Sequence, residues 1–375
     1  MRVLALVPSL YDTSPGQRFR LEQWERQLHE LGVKIVFAPF EDAALRAVLY
    51  SPGRWGKKVL GVVRALGRRI SLMSLVRNYD AVYVFRETSL LGAPIFERWV
   101  HHVGVPLIFD FDDAVFVPYK SPSNGWLSIL KGAGKTRTIC RLATHVMAGN
   151  GYLAEYASLS NPNVTVIPTT IDTDKYRVEP LVRASDVPVI GWTGSYSTVQ
   201  HLDMLRLVLR QLASSERFYL KVIGTSEYEL DGVNVEAIPW KSSSEIADLR
   251  PLDIGIMPLP EDRWTRGKCG LKALQYMALG IPTVCSPVGV NSEIIDDGKN
   301  GFLARTEEEW VDKLKRLLRS PTLRAELGAA GRSTVEDRYS AVVHTPRVCE
   351  IFRSVVKNCS PQLDGRNVAR VRTGV

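Results

Sequence analysis

Three cations lie close together in one short stretch of the sequence: Arg266, Lys268 and Lys272. Gly270 lies between the two lysines, where the apolar spacing of the following residues indicates that a helix begins. A helix N-terminus offers free backbone amides and the positive end of the helix dipole, which together suit a phosphate group. These cations and the amides of Gly270 and Leu271 therefore predict a phosphate site. The alternative is an ordinary helix with a solvated lysine face.

The predicted helix begins near Gly270 and ends at Gly280, with a proline soon after it. Gln275 falls on the helix face that carries Lys268 and Lys272, because residues three and four apart share a face. An amide both donates and accepts hydrogen bonds. Gln275 is therefore a candidate ligand for sugar hydroxyls.

A second loop of glycine and hydroxyl residues, Thr193-Gly194-Ser195, follows another apolar strand and precedes a helix. It is a further candidate for phosphate or sugar binding. It lacks the three-glycine fingerprint of dinucleotide sites, which disfavours nicotinamide chemistry.

The first half of the chain carries two polar clusters after apolar strands. Gly16, Gln17, Arg18 and Arg20 follow the first strand and are candidates for binding an anionic acceptor group, the alternative being a solvated helix start. The other cluster, 110–113, contains three aspartates.

Asp110, Asp112 and Asp113 stand at the end of the predicted strand 105–109. Carboxylates in such a place suit a metal, a general base or a hydroxyl acceptor. The alternative is that they cap the next segment and pair with a nearby arginine. An Asp-x-Asp pattern alone is a weak metal signal, so no metal site is predicted.

Strands alternate with helices in two successive sets, separated by a charged and poorly periodic linker at 179–186. Two α/β domains that face each other across a cleft are therefore expected, with the loops at the carboxyl ends of both sheets lining the cleft. The predicted units are residues 1–183, residues 184–340, and a C-terminal helix and tail at 341–375 that packs back on the first domain.

Composition narrows the class of protein. The 375 residues are 45% hydrophobic, which fits a globular protein, and no apolar run has the length of a membrane span. The apolar start of the chain predicts a buried strand rather than a signal peptide. Five scattered cysteines without metal-ligand spacing fit the reducing cytoplasm.

A net charge of +8 is compatible with binding to nucleic acid, but no nucleic-acid-binding motif is present. Part of the excess lies in the basic amphipathic segment 54–77. That segment is either an ordinary surface helix or a peripheral contact with an anionic membrane.

The second half resembles the donor domain of glycosyltransferase family 4, which has the GT-B fold. The resemblance rests on the segments 253–259, 268–278, 287–295 and 298–303, and the first half adds 16–20, 110–113 and 166–174. The family commonly has two glutamates where this chain has Gly267 and Gln275. Its usual arginine–lysine pair is also absent, since Thr193, Ser195 and Gln200 lie there. The chain thus resembles a divergent branch of glycosyltransferase family 4.

The resemblance implies a hexosyltransferase-like enzyme that transfers a sugar, with retention, from a nucleotide-diphosphate sugar to a glycan or lipid-linked acceptor. It implies no metal and no cofactor beyond that co-substrate. The basic segment 54–77 adds the hypothesis of an acceptor at the inner face of the membrane, in cell-surface polysaccharide or glycolipid synthesis. The residues so implicated are, for catalysis, Lys268, Lys272, Asp112 and Asp113; for the donor, Thr193, Gly194, Ser195, Trp240, Arg266, Gly270, Leu271, Gln275 and Glu293; and for the acceptor, Gly16, Gln17, Arg18 and Arg20. The alternatives are a nucleotide-sugar epimerase of the same fold and an inactive scaffold that binds nucleotide sugars.

Overall fold

The computed structural model describes residues 1–49, 53–89, 92–117, 134–179, 186–195 and 198–359. Most of the predicted linker, the boundary at 183/184 and the predicted tail from residue 360 lie outside the described residues.

The first domain contains a parallel sheet of six strands in the order β2-β1-β3-β4-β5-β6. Its strands are β1 Arg2–Val7, β2 Lys34–Pro39, β3 Ala81–Phe85, β4 Leu107–Phe111, β5 His145–Ala148 and β6 Val164–Val166. Its helices are α1 Pro15–Arg20, α2 Glu25–Glu30, α3 Ala43–Leu49, α4 Trp55–Met73, α5 Ile95–Val103, α6 Lys135–Leu142 and α7 Gly151–Ser158.

The second domain repeats this plan, with a parallel sheet in the order β12-β11-β10-β7-β8-β9. Its strands are β7 Val189–Thr193, β8 Tyr219–Ile223, β9 Asn234–Ile238, β10 Ile254–Met257, β11 Thr283–Cys285 and β12 Phe302–Leu303. Its helices are α8 Val199–Leu202, α9 Arg206–Ala213, α10 Glu245–Leu249, α11 Leu271–Ala278, α12 Asn291–Ile294, α13 Glu307–Arg319 and α14 Pro321–Arg338, and α15 Ala341–Cys359 follows.

The packing of β1 shows why the residues of a central strand can be continuously apolar. Val3, Ala5 and Val7 pack into the hydrophobic cluster on one face of the sheet, while Leu4 and Leu6 pack into the cluster on the other. Successive side chains of a strand point to opposite faces, and helices cover both faces of a parallel sheet. Every second residue is therefore as buried as its neighbours, and β1 stays apolar from Val3 to Val7.

The chain returns to the first domain after α14. Ala341 donates its backbone N–H to the carbonyl of Ile171 at 2.8 Å, and Ile171 donates to the carbonyl of Tyr339 at 2.8 Å. From there α15 packs Val348, Phe352 and its other apolar residues into the core of the first domain. Segments 171–176 and 339–341 thus connect the two domains.

The basic segment 54–77 contains α4. The strand predicted at 105–109 begins and ends two residues later, as β4, and the helix predicted from near Gly270 to Gly280 is α11.

A buried ion pair joins α1 to the end of β4. The guanidinium of Arg20 donates to both carboxylate oxygens of Asp110, at 2.5 and 3.2 Å, and both side chains are fully buried. Tyr83 donates its hydroxyl to the same carboxylate, and Arg20 also donates to the carbonyls of Ile167 and Pro168. This pair fixes α1 against β3, β4 and the residues that follow β6.

We expect Asp110→Ala to lower the free energy of unfolding of the first domain by about 3–5 kcal/mol, because it leaves the Arg20 charge buried and unpaired. Urea denaturation measures this loss. Glu30→Ala is the control, since it removes the partner of Arg26 in an exposed pair and should cost less than about 1 kcal/mol. Equal effects of the two substitutions would contradict the importance of the buried pair.

Candidate functional site

The basic segment predicted to bind phosphate lies between β10 and α11 of the second domain. A single helical turn, Thr265–Gly267, leads into Lys268, and Gly270 caps α11 in the left-handed conformation with φ 70°. A Cβ on Gly270 would also collide with Ile294, because it would lie 2.3 Å from the Cδ1 atom of that residue. Glycine accommodates both the left-handed backbone and the close approach of Ile294 without strain. It also leaves the first backbone amides of α11 uncovered by a side chain.

Lys268 contacts both domains. Its Nζ lies 2.9 Å from Oδ2 of Asp113, at the end of β4, and 3.5 Å from the centre of the Trp264 ring. The Lys268 and Asp113 side chains retain 21% and 15% of their surface, so solvent and a ligand can reach the pair.

Lys272 lies one turn further along, with Nζ 4.6 Å from the centre of the Trp192 ring. In the described part of the chain it forms no ion pair with a carboxylate. Burial and the neighbouring Lys268 lower the pKa of Lys272 to about 7. The two lysines therefore form a cation cluster that is short of negative charge.

Asp112 lines the wall opposite this cluster. Arg86, at the end of β3, donates to Asp112 Oδ1 from Nε at 2.7 Å and from Nη2 at 2.6 Å. The backbone of Arg86 has φ 59°, a left-handed conformation that is costly for a residue with a side chain. Gly16 lies beside this pair, since a Cβ on it would be 3.0 Å from both Arg86 Nη2 and Asp112 Oδ2. Arg86 was not selected from the sequence, although it follows an apolar strand just as Asp112 does.

Gln275 belongs to a buried network between the domains. Its Nε2 donates to the Tyr176 hydroxyl at 3.0 Å, and Tyr176 donates to Glu245 at 2.7 Å. Arg18 and Trp240 donate to the same carboxylate at 2.8 and 3.0 Å. Burial and Glu245 raise the pKa of Tyr176, so its hydroxyl stays protonated and can donate. The predicted sugar contact of Gln275 remains a prediction, with its amide nitrogen bound to Tyr176.

The loop after β7 is held by local hydrogen bonds. Thr193 is buried and donates its N–H to the Tyr276 hydroxyl at 2.9 Å, while Ser195 donates its N–H to Thr198 Oγ1 at 3.0 Å. Gly194 lies between them at the carboxyl end of β7, beside the Trp192 ring that Lys272 contacts. The neighbouring residues 196 and 197 of the predicted loop lie outside the described residues.

The other predicted donor residues differ in their surroundings. Arg266 is half exposed and pairs with Glu261 at 2.9 Å, while the side chain of Leu271 packs against the core. Glu293 is exposed, and its carbonyl accepts from Arg338 at 3.4 Å. Of these three, Arg266 lies nearest in the chain to Lys268 and adds charge at the rim.

Gln17 and Arg20, which the sequence analysis predicted to contact an acceptor, have no exposed surface in this structure. Gln17 donates to the carbonyl of Ser9 at 3.0 Å and to Glu22 at 2.6 Å, and Arg20 is held by Asp110. Long polar side chains in this loop fold inwards because they satisfy buried backbone and carboxylate groups.

Arg18 is also mostly buried. Its side chain pairs with Asp12 at 2.7 Å and with Glu245 at 2.8 Å, so it bridges the first and second domains. A role in acceptor binding would require one of these pairs to open.

His201 is a buried neighbour of the two lysines that the sequence did not single out. It is 5% exposed, its ring centre lies 6.0 Å from that of Trp264, and its Nε2 has no hydrogen-bond partner in the part of the chain described. Burial, followed by Lys272 and Lys268, lowers the pKa of His201 to about 4. A histidine soon after a glycine and hydroxyl loop was the available signal.

The three aspartates do not share a site. Asp110, Asp112 and Asp113 each pair with a different cation, and no group of three His, Cys, Asp or Glu side chains suited to a metal occurs among the described residues. Across the same residues, none of the helices combines the length and hydropathy of a membrane span.

Sequence comparison finds one family model that is similar to the second domain. Residues 187–320 match the family model described as glycosyl transferases group 1. A D-inositol 3-phosphate glycosyltransferase of Pseudarthrobacter chlorophenolicus is 28% identical over 131 residues. That alignment covers 34% of this chain and 30% of the relative, so it spans less than a third of the relative's length.

Solved structures resemble the whole chain. Sucrose-phosphate synthase of Thermosynechococcus elongatus is similar with a TM-score of 0.69 at 14% identity, over 96% of this chain and 100% of the other. HepE of Anabaena, in complex with UDP and glucose, is similar with a TM-score of 0.65 at 15% identity, over 94% and 100%. At these identities the likeness shows a common fold. The two domains together therefore have the GT-B fold, and residues 187–320 of the second are similar to the group 1 glycosyl transferases.

Proposed function

We propose that this chain transfers a glycosyl group from a nucleotide-diphosphate sugar to a hydroxyl of a glycan or lipid-linked acceptor, with retention and without a metal. The observation that carries the proposal is the cation cluster of Lys268 and Lys272 at the start of α11, inside a group 1 glycosyltransferase domain. HepE, which shares the fold, was solved with UDP and glucose, which supports a donor of this class.

The diphosphate would bind between α11 and the first domain. Its oxygens are acceptors of the same kind as the Asp113 carboxylate, so they can replace that carboxylate as the partner of Lys268. Lys272 has no carboxylate partner to give up within the described chain. The uncovered amides at Gly270 and Leu271 complete the cradle, and the nucleoside would lie towards Gln275 and Trp240.

The chemistry is the departure of the diphosphate. As the bond between the sugar's anomeric carbon and the phosphate oxygen breaks, negative charge grows on the leaving group and positive charge on the sugar ring. Lys268 and Lys272 are already positioned to stabilise that negative charge, and fixed cations lower the barrier because they need not reorganise.

The acceptor hydroxyl would approach from the side of the first domain, near Gly16 and Asp112. Its oxygen forms the new bond to the anomeric carbon, and its proton leaves to a carboxylate. Asp113 becomes available for this proton once Lys268 turns to the diphosphate, while Asp112 stays paired with Arg86. Asp113 is therefore the stronger candidate for the base.

We also propose that α4 contacts an anionic membrane, where a lipid-linked acceptor would lie. Residues 53–79 contain seven Lys or Arg and no Asp or Glu. Trp55, Val59, Val63 and Ile70 on α4 are each between 48% and 60% exposed. They recur at helical spacing and so form one apolar stripe among cations, as expected of a helix that lies in a membrane surface. A place in cell-surface polysaccharide or glycolipid synthesis follows from such an acceptor.

We expect Lys268→Ala and Lys272→Ala each to lower kcat/KM for the donor by roughly 10²-fold or more, since each removes a cation that binds the leaving group. A panel of UDP-, GDP- and ADP-sugars in a thermal-shift assay identifies the donor, and steady-state kinetics then measures the loss. Lys299→Ala is the control, because Lys299 is an exposed lysine paired with Asp296 and should be silent.

Unchanged donor affinity and turnover in the double lysine variant would overturn the proposed function. Donor turnover without any acceptor would favour the epimerase, and donor binding with no turnover under any condition would favour the scaffold.

Donor affinity should also fall as the pH rises above about 7. Below that pH, Lys272 of the free protein is already protonated. Above it, the bound diphosphate raises the pKa of Lys272, so binding must take up a proton, and the dissociation constant should increase by up to about tenfold per pH unit. Calorimetric titration from pH 6.5 to 8.5 measures this slope. Lys272→Arg, which stays charged, should bind with a flat profile, and the same slope in that variant would contradict the assignment.

For the membrane contact, Val59→Glu combined with Val63→Glu should reduce flotation with vesicles that contain phosphatidylglycerol by at least about tenfold, because it places two negative charges on the apolar stripe. Leu207→Glu is the control, since Leu207 is a similarly exposed residue on α9 of the second domain, at 62%. Binding that is equal in all three proteins would rule out α4 as the contact.

A further inference from the structure

The segment that carries Lys268 is held by the first domain as well as by its own. Asn150, 2% exposed at the end of β5, donates its Nδ2 to the carbonyls of Arg266 and Lys268, at 3.3 and 3.2 Å. The same nitrogen lies 3.7 Å from Sγ of Cys269. One amide group thus contacts three residues of the segment across the boundary between the domains.

The neighbours of Asn150 allow this close approach. A Cβ on Gly149 would lie 2.4 Å from Sγ of Cys269 and 3.1 Å from Cα of Asp112, so any side chain at 149 would push the segment away. Cys269 in turn donates to the carbonyl of Asp112 at 3.2 Å. The segment is therefore packed against the ends of β4 and β5 rather than being free in the cleft.

We propose that Asn150 is a positioning residue for the diphosphate site. It fixes the backbone on either side of Gly267 and so sets where the Lys268 ammonium and the first amides of α11 lie relative to the first domain. The inference rests on the proposed function, because it assumes that Lys268 binds the diphosphate of the nucleotide sugar. It implies that the donor site is complete only when the two domains are in contact.

A simpler role for Asn150 is to cap α7, since its Oδ1 accepts from the N–H of Leu153 at 2.9 Å. Serine separates the two roles. It is also a good N-cap, but its side chain is too short to reach the second domain. Asn150→Asp provides a second variant. It retains the cap of α7 but replaces the donating amide nitrogen with a carboxylate oxygen, which cannot donate to the carbonyls of Arg266 and Lys268.

Asn161 is the matched control. It is 4% exposed, and its Nδ2 donates to the carbonyls of Cys140 and Ala143, both at 2.7 Å, entirely within the first domain. Asn161→Ser therefore removes the same kind of bridge without touching the boundary between the domains.

The experiment compares wild type, Asn150→Ser, Asn150→Asp and Asn161→Ser in the full chain. Steady-state kinetics gives the KM of the donor and of the acceptor. Thiol labelling followed by mass spectrometry gives the rate at which buried Cys269 reacts, relative to buried Cys349, which none of these substitutions contacts. We expect both Asn150 variants to raise the donor KM about tenfold or more, to leave the acceptor KM within threefold, and to speed labelling of Cys269 about tenfold.

A merely structural role would lower the fraction of active protein and the melting temperature but would leave the donor KM unchanged, as expected for Asn161→Ser. The proposal is overturned if the Asn150 variants behave like this control in labelling or in donor KM. The labelling result needs no donor, so it judges the contact separately. A wild-type chain that turns over no donor would overturn the proposed function, and the positioning role with it.

Discussion

The ion pair between Lys268 and Asp113 is the contact on which the candidate site depends, because it joins the two domains at the point where chemistry would occur. It brings the start of α11 to the end of β4 with side chains that stay partly accessible. A carboxylate is a modest substitute for a diphosphate, which offers more oxygens and more charge. The pair therefore holds the site in a state that an anionic ligand can enter by exchange rather than by opening a dry interface.

The three aspartates at the end of β4 have different roles. Asp110 points into the core and secures α1 through Arg20, Asp112 is held by Arg86 at the wall, and Asp113 reaches across the cleft. Their exposure increases along the chain from fully buried to accessible. A charge that is buried needs a partner, whereas a charge at the rim can exchange its partner. Structural and chemical roles are thus separated within a few residues.

The hydrogen-bond network around Glu245 gives a physical reason for the glutamine at position 275, where the family that this chain resembles commonly has a glutamate. Where the family has a glutamate, Gln275 donates to Tyr176, and the buried carboxylate of Glu245 collects hydrogen bonds from both domains. A second carboxylate at position 275 would stand close to Glu245, and burying two like charges together is costly. An amide at 275 is therefore compatible with a glutamate at 245.

Continuous apolar runs that alternate with helical segments were enough to predict two α/β domains from the sequence, because a strand in a parallel sheet is buried on both faces. The lysines and Gly270 were found because they coincide at a predicted helix start. The aspartates at the end of β4 were found because polar residues stand out where an apolar run ends. Only the tertiary structure decided which polar groups face inwards: Arg20 lies in the core, and Asn150 bridges the domains. Such pairings join residues that are far apart in the chain, and sequence spacing carries no record of which strand ends meet.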